Sequence, residues 1–163
     1  MNLVPRKIIF TSGIGTHTEY LESFESALRD AGIEKFNLVT VSSILPPGCE
    51  FVSKKDGLSE LCPGEIVFCV LSRISSDEPG SKITASIGCA VPKCLDTIGY
   101  ISEYHASGQT KTSAGNYVET LAREMYHSWK KEEPLKTMHI ARSTEVKEKP
   151  GWTTAIAAAI FII

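Results

Sequence analysis

The chain has 163 residues, enough for one domain with a real core, since roughly 70% of the unfolded surface is buried at this size. Its 42% apolar and 22% charged residues are ordinary globular values. A net charge of -2, with no Lys/Arg cluster, argues against a nucleic-acid or anionic-membrane binder. MNLVPRKIIFTSG at the start has too short an apolar run for a signal peptide. TTAIAAAIFII at the end is apolar but about half the length that spans a bilayer.

No repeat, low-complexity tract or linker divides the sequence, so residues 1–163 read as a single domain. Lys7–Thr11 forms a first strand, and GIGTH at 13–17 a short glycine-rich turn. That turn lacks the GxGxxG or Walker pattern of a phosphate cradle. Glu19–Ala31 is a helix with Leu21, Phe24, Ala27 and Leu28 on one face, Thr18 placed to cap its start and Gly32 its end. Phe36–Val41 is a strand rich in β-branched residues, and Pro46-Pro47 forbid its continuation. Residues 43–64 read as a long irregular connection, and a stretch of that length in a small domain usually has a job.

Glu65–Ser72 is a buried strand, followed by the polar turn SSDEPGS. Lys82–Val91 alternates two uncharged faces and is expected to be covered on both. Thr97–Glu103 is another strand. Ala114–Trp129 is a second amphipathic helix that aligns Ala114, Val118, Leu121, Met125 and Trp129. Lys136–Arg142 and Thr153–Ile163 are the last strands. Two helices and about seven strands make an α+β protein, and strands apolar on both faces predict a layered sandwich with helices outside.

The five cysteines, Cys49, Cys62, Cys69, Cys89 and Cys94, are odd in number and form no CxxC. They read as reduced, mostly buried thiols of a cytoplasmic protein, not as disulfides or a metal site. His17, His105, His127 and His139 have no ligand-like spacing. His127 reads as a surface residue, His139 as a core or rim residue, and His105 as sharing a strand face with Glu103.

The chemistry centres on Ser42-Ser43 in VSSILPPGCEF. A clamped Ser43 hydroxyl can attack the Ser42 carbonyl and turn the amide into an ester. Removal of the Ser43 Cα proton then expels the ester by β-elimination. The dehydroalanine left at position 43 hydrolyses to a pyruvoyl group at a new amino terminus. Pro46 and Pro47 supply part of the restriction this needs. A plain strand-end turn is the other reading of the same residues.

FNLVTVSSILPPG closely resembles the processing segment of pyruvoyl-dependent arginine decarboxylases, in which N-L-x-x-x-S-S-I-x-P-P precedes a long loop. ESALRDAGIEKFNL resembles the helix and turn before that segment. SSDEPGSKITASIGCAVPK resembles the family's turn and its long small-residue strand. GYISEYHASG resembles its G-x-I-x-E-Y element, and GWTTAIAAAIFI its final strand. The blocks keep their order and cover nearly the whole chain.

The resemblance implies a four-layer αββα sandwich of the pyruvoyl-dependent decarboxylase type. It implies a proenzyme cut between Ser42 and Ser43 into a small subunit, 1–42, and a pyruvoyl-bearing subunit, 43–163. It also implies a homo-oligomer of cleaved protomers, a trimer or a hexamer, with active sites between subunits. The substrate L-arginine would form a Schiff base with the pyruvoyl ketone and leave as agmatine and CO2, feeding polyamine synthesis or acid resistance. The covalent pyruvoyl group, made from Ser43, replaces pyridoxal phosphate, and no metal is needed. Ser12-Gly13 resembles a loop near the family's active site.

Glu103 aligns with the family's acid and is expected to return a proton to the substrate carbon. Its other reading is an exposed strand-end glutamate. Asn37 matches an asparagine facing the processing site, where its amide could polarise the Ser42 carbonyl or hold substrate. Its other reading is an asparagine bonded at a strand start. The family's guanidinium-contacting aspartate falls at Glu25, which keeps the charge and adds a methylene. That departure keeps in view a pyruvoyl decarboxylase for another amino acid; a separate rival is an uncleaved, non-catalytic oligomeric homologue.

Overall fold

The structure, a computed structural model, describes residues 3–149 and 151–163. In chain order the elements are β1 (Lys7–His17), α1 (Tyr20–Ala31), β2 (Asn37–Thr40), β3 (Ile44–Leu45), β4 (Glu50–Phe51), α2 (Lys54–Ser59), β5 (Ile66–Ser76), β6 (Lys82–Val91), β7 (Gly99–Ser107), α3 (Lys111–Lys130), β8 (Lys136–Glu145) and β9 (Trp152–Ile162). They form two sheets, β2-β5-β9-β1-β4 and β3-β7-β6-β8. Helix α1 covers the outer face of the first sheet and α3 that of the second, so the layers run α-β-β-α.

β9 shows why the two sheets stack. Ala155, Ala157, Ala159 and Phe161 enter the core between the sheets, with Ile83, Ala85, Ile87 and Cys89 of β6 opposite. Ile156, Ala158, Ile160 and Ile162 point the other way, into the layer under α1 with Ala27, Leu28 and Ala31. A strand buried on both faces is apolar along most of its length, the pattern read in the sequence for Lys82–Val91.

The glycines at 13 and 15 make no turn. β1 runs through them to His17, and α1 lies directly on them. A Cβ on Gly13 would sit 2.2 Å from the Ala27 carbonyl oxygen, and one on Gly15 2.2 Å from the Ala27 nitrogen. They permit close helix-to-sheet contact.

α1 ends as expected, with Gly32 in the left-handed region at φ 75° and its N–H on the Arg29 carbonyl. Its start differs. Glu19, not Thr18, is the cap position, and the Glu19 N–H donates to His17 Nδ1 at 3.0 Å. Leu21 is exposed, and the buried face is Ser23, Ala27, Leu28 and Ala31.

On α3 the buried stripe is Ala114, Val118, Ala122 and Tyr126, with Gly115 beside it, whereas Trp129 is exposed. Small side chains bring this helix down onto β6, where a Cβ on Gly88 would lie 2.3 Å from the Val118 oxygen. The expected irregular stretch holds three short elements. β4 pairs with β1 in parallel, and α2 is capped by Ser53, whose Oγ accepts from the Asp56 N–H. Among the described residues there are thus three helices and nine strands, more than the sequence reading had.

Candidate active site

The Ser42-Ser43 bond lies where the chain changes sheets. β2 runs parallel to β5 with Thr40 opposite Cys69, and the Val41 N–H still donates to the Cys69 carbonyl at 2.9 Å. One residue beyond the serines, β3 pairs antiparallel with β7, and the Ser43 carbonyl accepts from the Ile101 N–H at 2.7 Å. The bond is thus a single span clamped at both ends, in different sheets. Pro46 and Pro47 close the far side of the step. Ser42 is exposed and Ser43 half-buried.

An apolar cavity of about 460 Å³ adjoins this span, lined in part by Val4, Val41, Ser42, Ile44, Pro46 and Phe68. Its walls suit a small ketone that must be kept from solvent water. The Ser43 carbonyl that Ile101 holds is the one a pyruvoyl group would retain as its amide. A donor is therefore already aimed at the oxygen that would gain electron density. On both counts the residues present fit that group.

Glu103 lies two residues beyond Ile101 on β7 and on the same face, about 7 Å further along the strand. Ile101 is buried in the core between the sheets, while Glu103 and His105 carry that face out to solvent. Burial pushes the Cys69 thiol up to about 11 and the Glu103 carboxylate adds to that rise. Cys69 is the residue that holds Val41.

The β7 backbone is pinned next to Glu103. The Tyr104 carbonyl accepts from Ser72 Oγ at 2.8 Å and from Ser86 Oγ at 3.0 Å. Both serines are buried, so three strands from two sheets meet at one polar point in an apolar core.

Asn37 and Glu25 do not join this group within one chain. Asn37 sits at the opposite end of β2, about 16 Å of strand from Ser42, with its Nδ2 donating to the Gly64 carbonyl at 2.7 Å. That is the strand-start reading, and it leaves the Ser42 carbonyl of the same chain out of reach. Glu25 pairs with Arg29 one turn on, at 3.2 Å.

Asn37 belongs to a second feature, a groove of about 450 Å³ on the outer face beside α1. Asn37 helps line it together with Phe24, Leu38, Thr40 and Arg73, and Glu25 follows Phe24. Ser12-Gly13 lies within β1, not in a loop. His127 is exposed and bonded to Glu133, and half-buried His139 meets Glu119.

Arg73 was not singled out in the sequence. It stands in an apolar strand, and a cation at an outward position there was the one available signal. The cysteines are free, but Cys62 and Cys94 are exposed, contrary to the expectation of mostly buried thiols.

A family model described as pyruvoyl-dependent arginine decarboxylase matches residues 7–163. Pyruvoyl-dependent arginine decarboxylase 1 of Methanosarcina mazei is 62% identical over 161 residues, covering 99% of this chain and 98% of that protein. Pyruvoyl-dependent arginine decarboxylase 1 of Methanosarcina acetivorans and the pyruvoyl-dependent arginine decarboxylase of Methanocella arvoryzae are each 60% identical, with the same coverage. A solved pyruvoyl-dependent histidine decarboxylase overlaps 67% of this chain and 60% of its own at 14% identity, with a TM-score of 0.44, a likeness too loose to carry further.

Proposed function

The chain belongs to the pyruvoyl-dependent arginine decarboxylase family, and we propose that it cuts itself between Ser42 and Ser43 and then converts L-arginine to agmatine and CO2. The observation that carries the cleavage reading is the clamped span: Val41 tied to Cys69 in one sheet, Ser43 tied to Ile101 in the other.

Cleavage proceeds on the chain's own atoms. Ser43 Oγ adds to the Ser42 carbonyl carbon, the C–N bond breaks, and the hydroxyl proton passes to the nitrogen. Loss of the Ser43 Cα proton then breaks the Cβ–O bond and frees the Ser42 carboxylate. Water displaces the nitrogen of the resulting enamine as ammonia, and a ketone remains at position 43.

The pyruvoyl group supplies an electron sink for the pair left on the substrate carbon when CO2 departs. The residues around it do the rest. The Ile101 N–H stabilises negative charge on the Ser43 carbonyl. Glu103 gives a proton to the substrate carbon. The apolar side chains of Val41, Ile44 and Phe68 line the cavity beside the Ser42-Ser43 span.

The guanidinium of the substrate would be met by Glu25, exchanging its partner Arg29, and Asn37 would steady the bound amino acid. Because Asn37 lies at the far end of β2 from Ser43 and Glu25 lies on α1, we assign them to the site of a neighbouring protomer in a trimer or hexamer. Exposed apolar residues on and beside β2, among them Val39, Val41, Ile44 and Ile66, support such an association. We place the enzyme in the cytoplasm, where its thiols stay reduced.

Incubation of the purified chain with L-arginine, followed by mass analysis under denaturing conditions and assay of CO2, tests the reading. Two fragments split after Ser42 together with CO2 release are expected. An intact chain of 17.8 kDa that releases no CO2 would overturn it.

A further inference from the structure

We propose that Arg73 is the receptor for the carboxylate that cleavage creates on Ser42, and that it holds the end of the 1–42 fragment away from the ketone of its own chain. The proposal rests on the cleavage reading. Among the described residues, Nε and Nη2 of Arg73 are the buried side-chain nitrogens left without a hydrogen-bond partner. These two atoms form one edge of the guanidinium, the edge that grips a carboxylate with two parallel bonds. Such orphaned donors are rare in folded proteins and costly, because each has lost water and gained no hydrogen bond.

The uncut chain offers no carboxylate here. The Arg73 guanidinium lies 3.7 Å from the centre of the Phe24 ring and 4.9 Å from that of Tyr20, so aromatic faces hold it ready. It lines the outer groove with Thr40 and Leu71.

The register says where a cut end can go. β2 pairs with β5 only from Asn37 to Thr40, and the edge of β5 beyond Cys69 has no β2 partner. Continuing the same parallel register by two residues would carry Ser42 opposite Leu71. Arg73 is two residues further along β5, within the reach of an extended arginine side chain. The side chains of Leu38 and Thr40 already face this groove, and Ser42 falls on the same side by the two-residue period. Tyr20 is about half exposed at the start of α1, so it can swing aside to admit the carboxylate.

Capture also removes a problem that cleavage creates. A free carboxylate left beside the ketone would pair with the incoming substrate ammonium and would repel Glu103 nearby. Held by Arg73, it does neither.

The test uses the processed wild-type protein and carboxypeptidase Y, with the mass of the 1–42 fragment as readout. In the folded enzyme the fragment should resist loss of Ser42 and Val41. In Arg73→Gln, trimming should be faster by about tenfold or more, the size of effect expected when a charge-assisted pair is lost. Arg73→Met, which keeps an apolar stem against Phe24 but no donor, should behave the same and serves if the Gln variant does not fold.

Equal trimming of wild type and either folded variant would overturn the proposal while leaving cleavage standing. So would wild-type trimming as fast as that of the denatured fragment. An uncut chain would overturn the cleavage reading and this proposal with it.

Discussion

At the scale of single residues, the proposed roles of Ser43 and Glu103 can be told apart, one in cleavage and one in decarboxylation. Ser43→Ala removes the attacking oxygen, so this variant should stay whole on a denaturing gel however long it is held. Ser43→Thr and Ser43→Cys keep a nucleophile and should be cut slowly. Glu103→Gln keeps size and hydrogen bonding but cannot give the same proton. It should be processed at the wild-type rate yet decarboxylate about 10²- to 10⁴-fold more slowly, the usual worth of general acid catalysis. Full activity in Glu103→Gln, measured as CO2 release at saturating arginine, would remove that residue from the mechanism. A processing defect in the same variant would move it into the cleavage step instead.

At the scale of elements, the fold turns on where helices come close to sheets. Gly15 lets α1 press onto β1, so Gly15→Ala should force the two apart and cost about 1–3 kcal/mol, with a fall in Tm of several degrees in a thermal melt. Unchanged melting would mean the helix has slack there. The same closeness explains what the sequence did and did not disclose. β6 was legible to the residue because a run of apolar and small side chains with no charge has few other fates. Gly13 and Gly15 were misread as a turn because a glycine needed for close packing looks the same, in one sequence, as a glycine needed for a bend. On α3 Ala114 and Val118 were read on the buried face, but Leu121, Met125 and Trp129 were placed there instead of Ala122 and Tyr126, which complete it. The serine pair and Glu103 were reached through their resemblance to a family motif. The Ile101 N–H and the Arg73 guanidinium were not legible, because a backbone donor has no residue signature and an orphaned cation is defined only by surroundings that folding brings together.

At the scale of the whole molecule, the core between the sheets carries a thiol that couples stability to pH. Burial pushes Cys89 up to about 12, while an unfolded thiol titrates near 9. Between those values the folded state binds more protons than the unfolded one, so stability is fully present below pH 9 and is lost as pH rises toward 12. Urea midpoints should therefore fall between pH 8.5 and 10.5, and Cys89→Ala should flatten that slope even if it lowers stability overall. An unchanged slope in the variant would clear Cys89 of the effect. The central claim concerns the span between the two sheets, and one measurement bears on it most directly: the denatured mass of the purified protein before and after borohydride. The account predicts two species, residues 1–42 ending in a free carboxylate and residues 43–163 beginning with a carbonyl, with only the larger gaining mass on reduction. A single species of 17.8 kDa that borohydride leaves unchanged would contradict it.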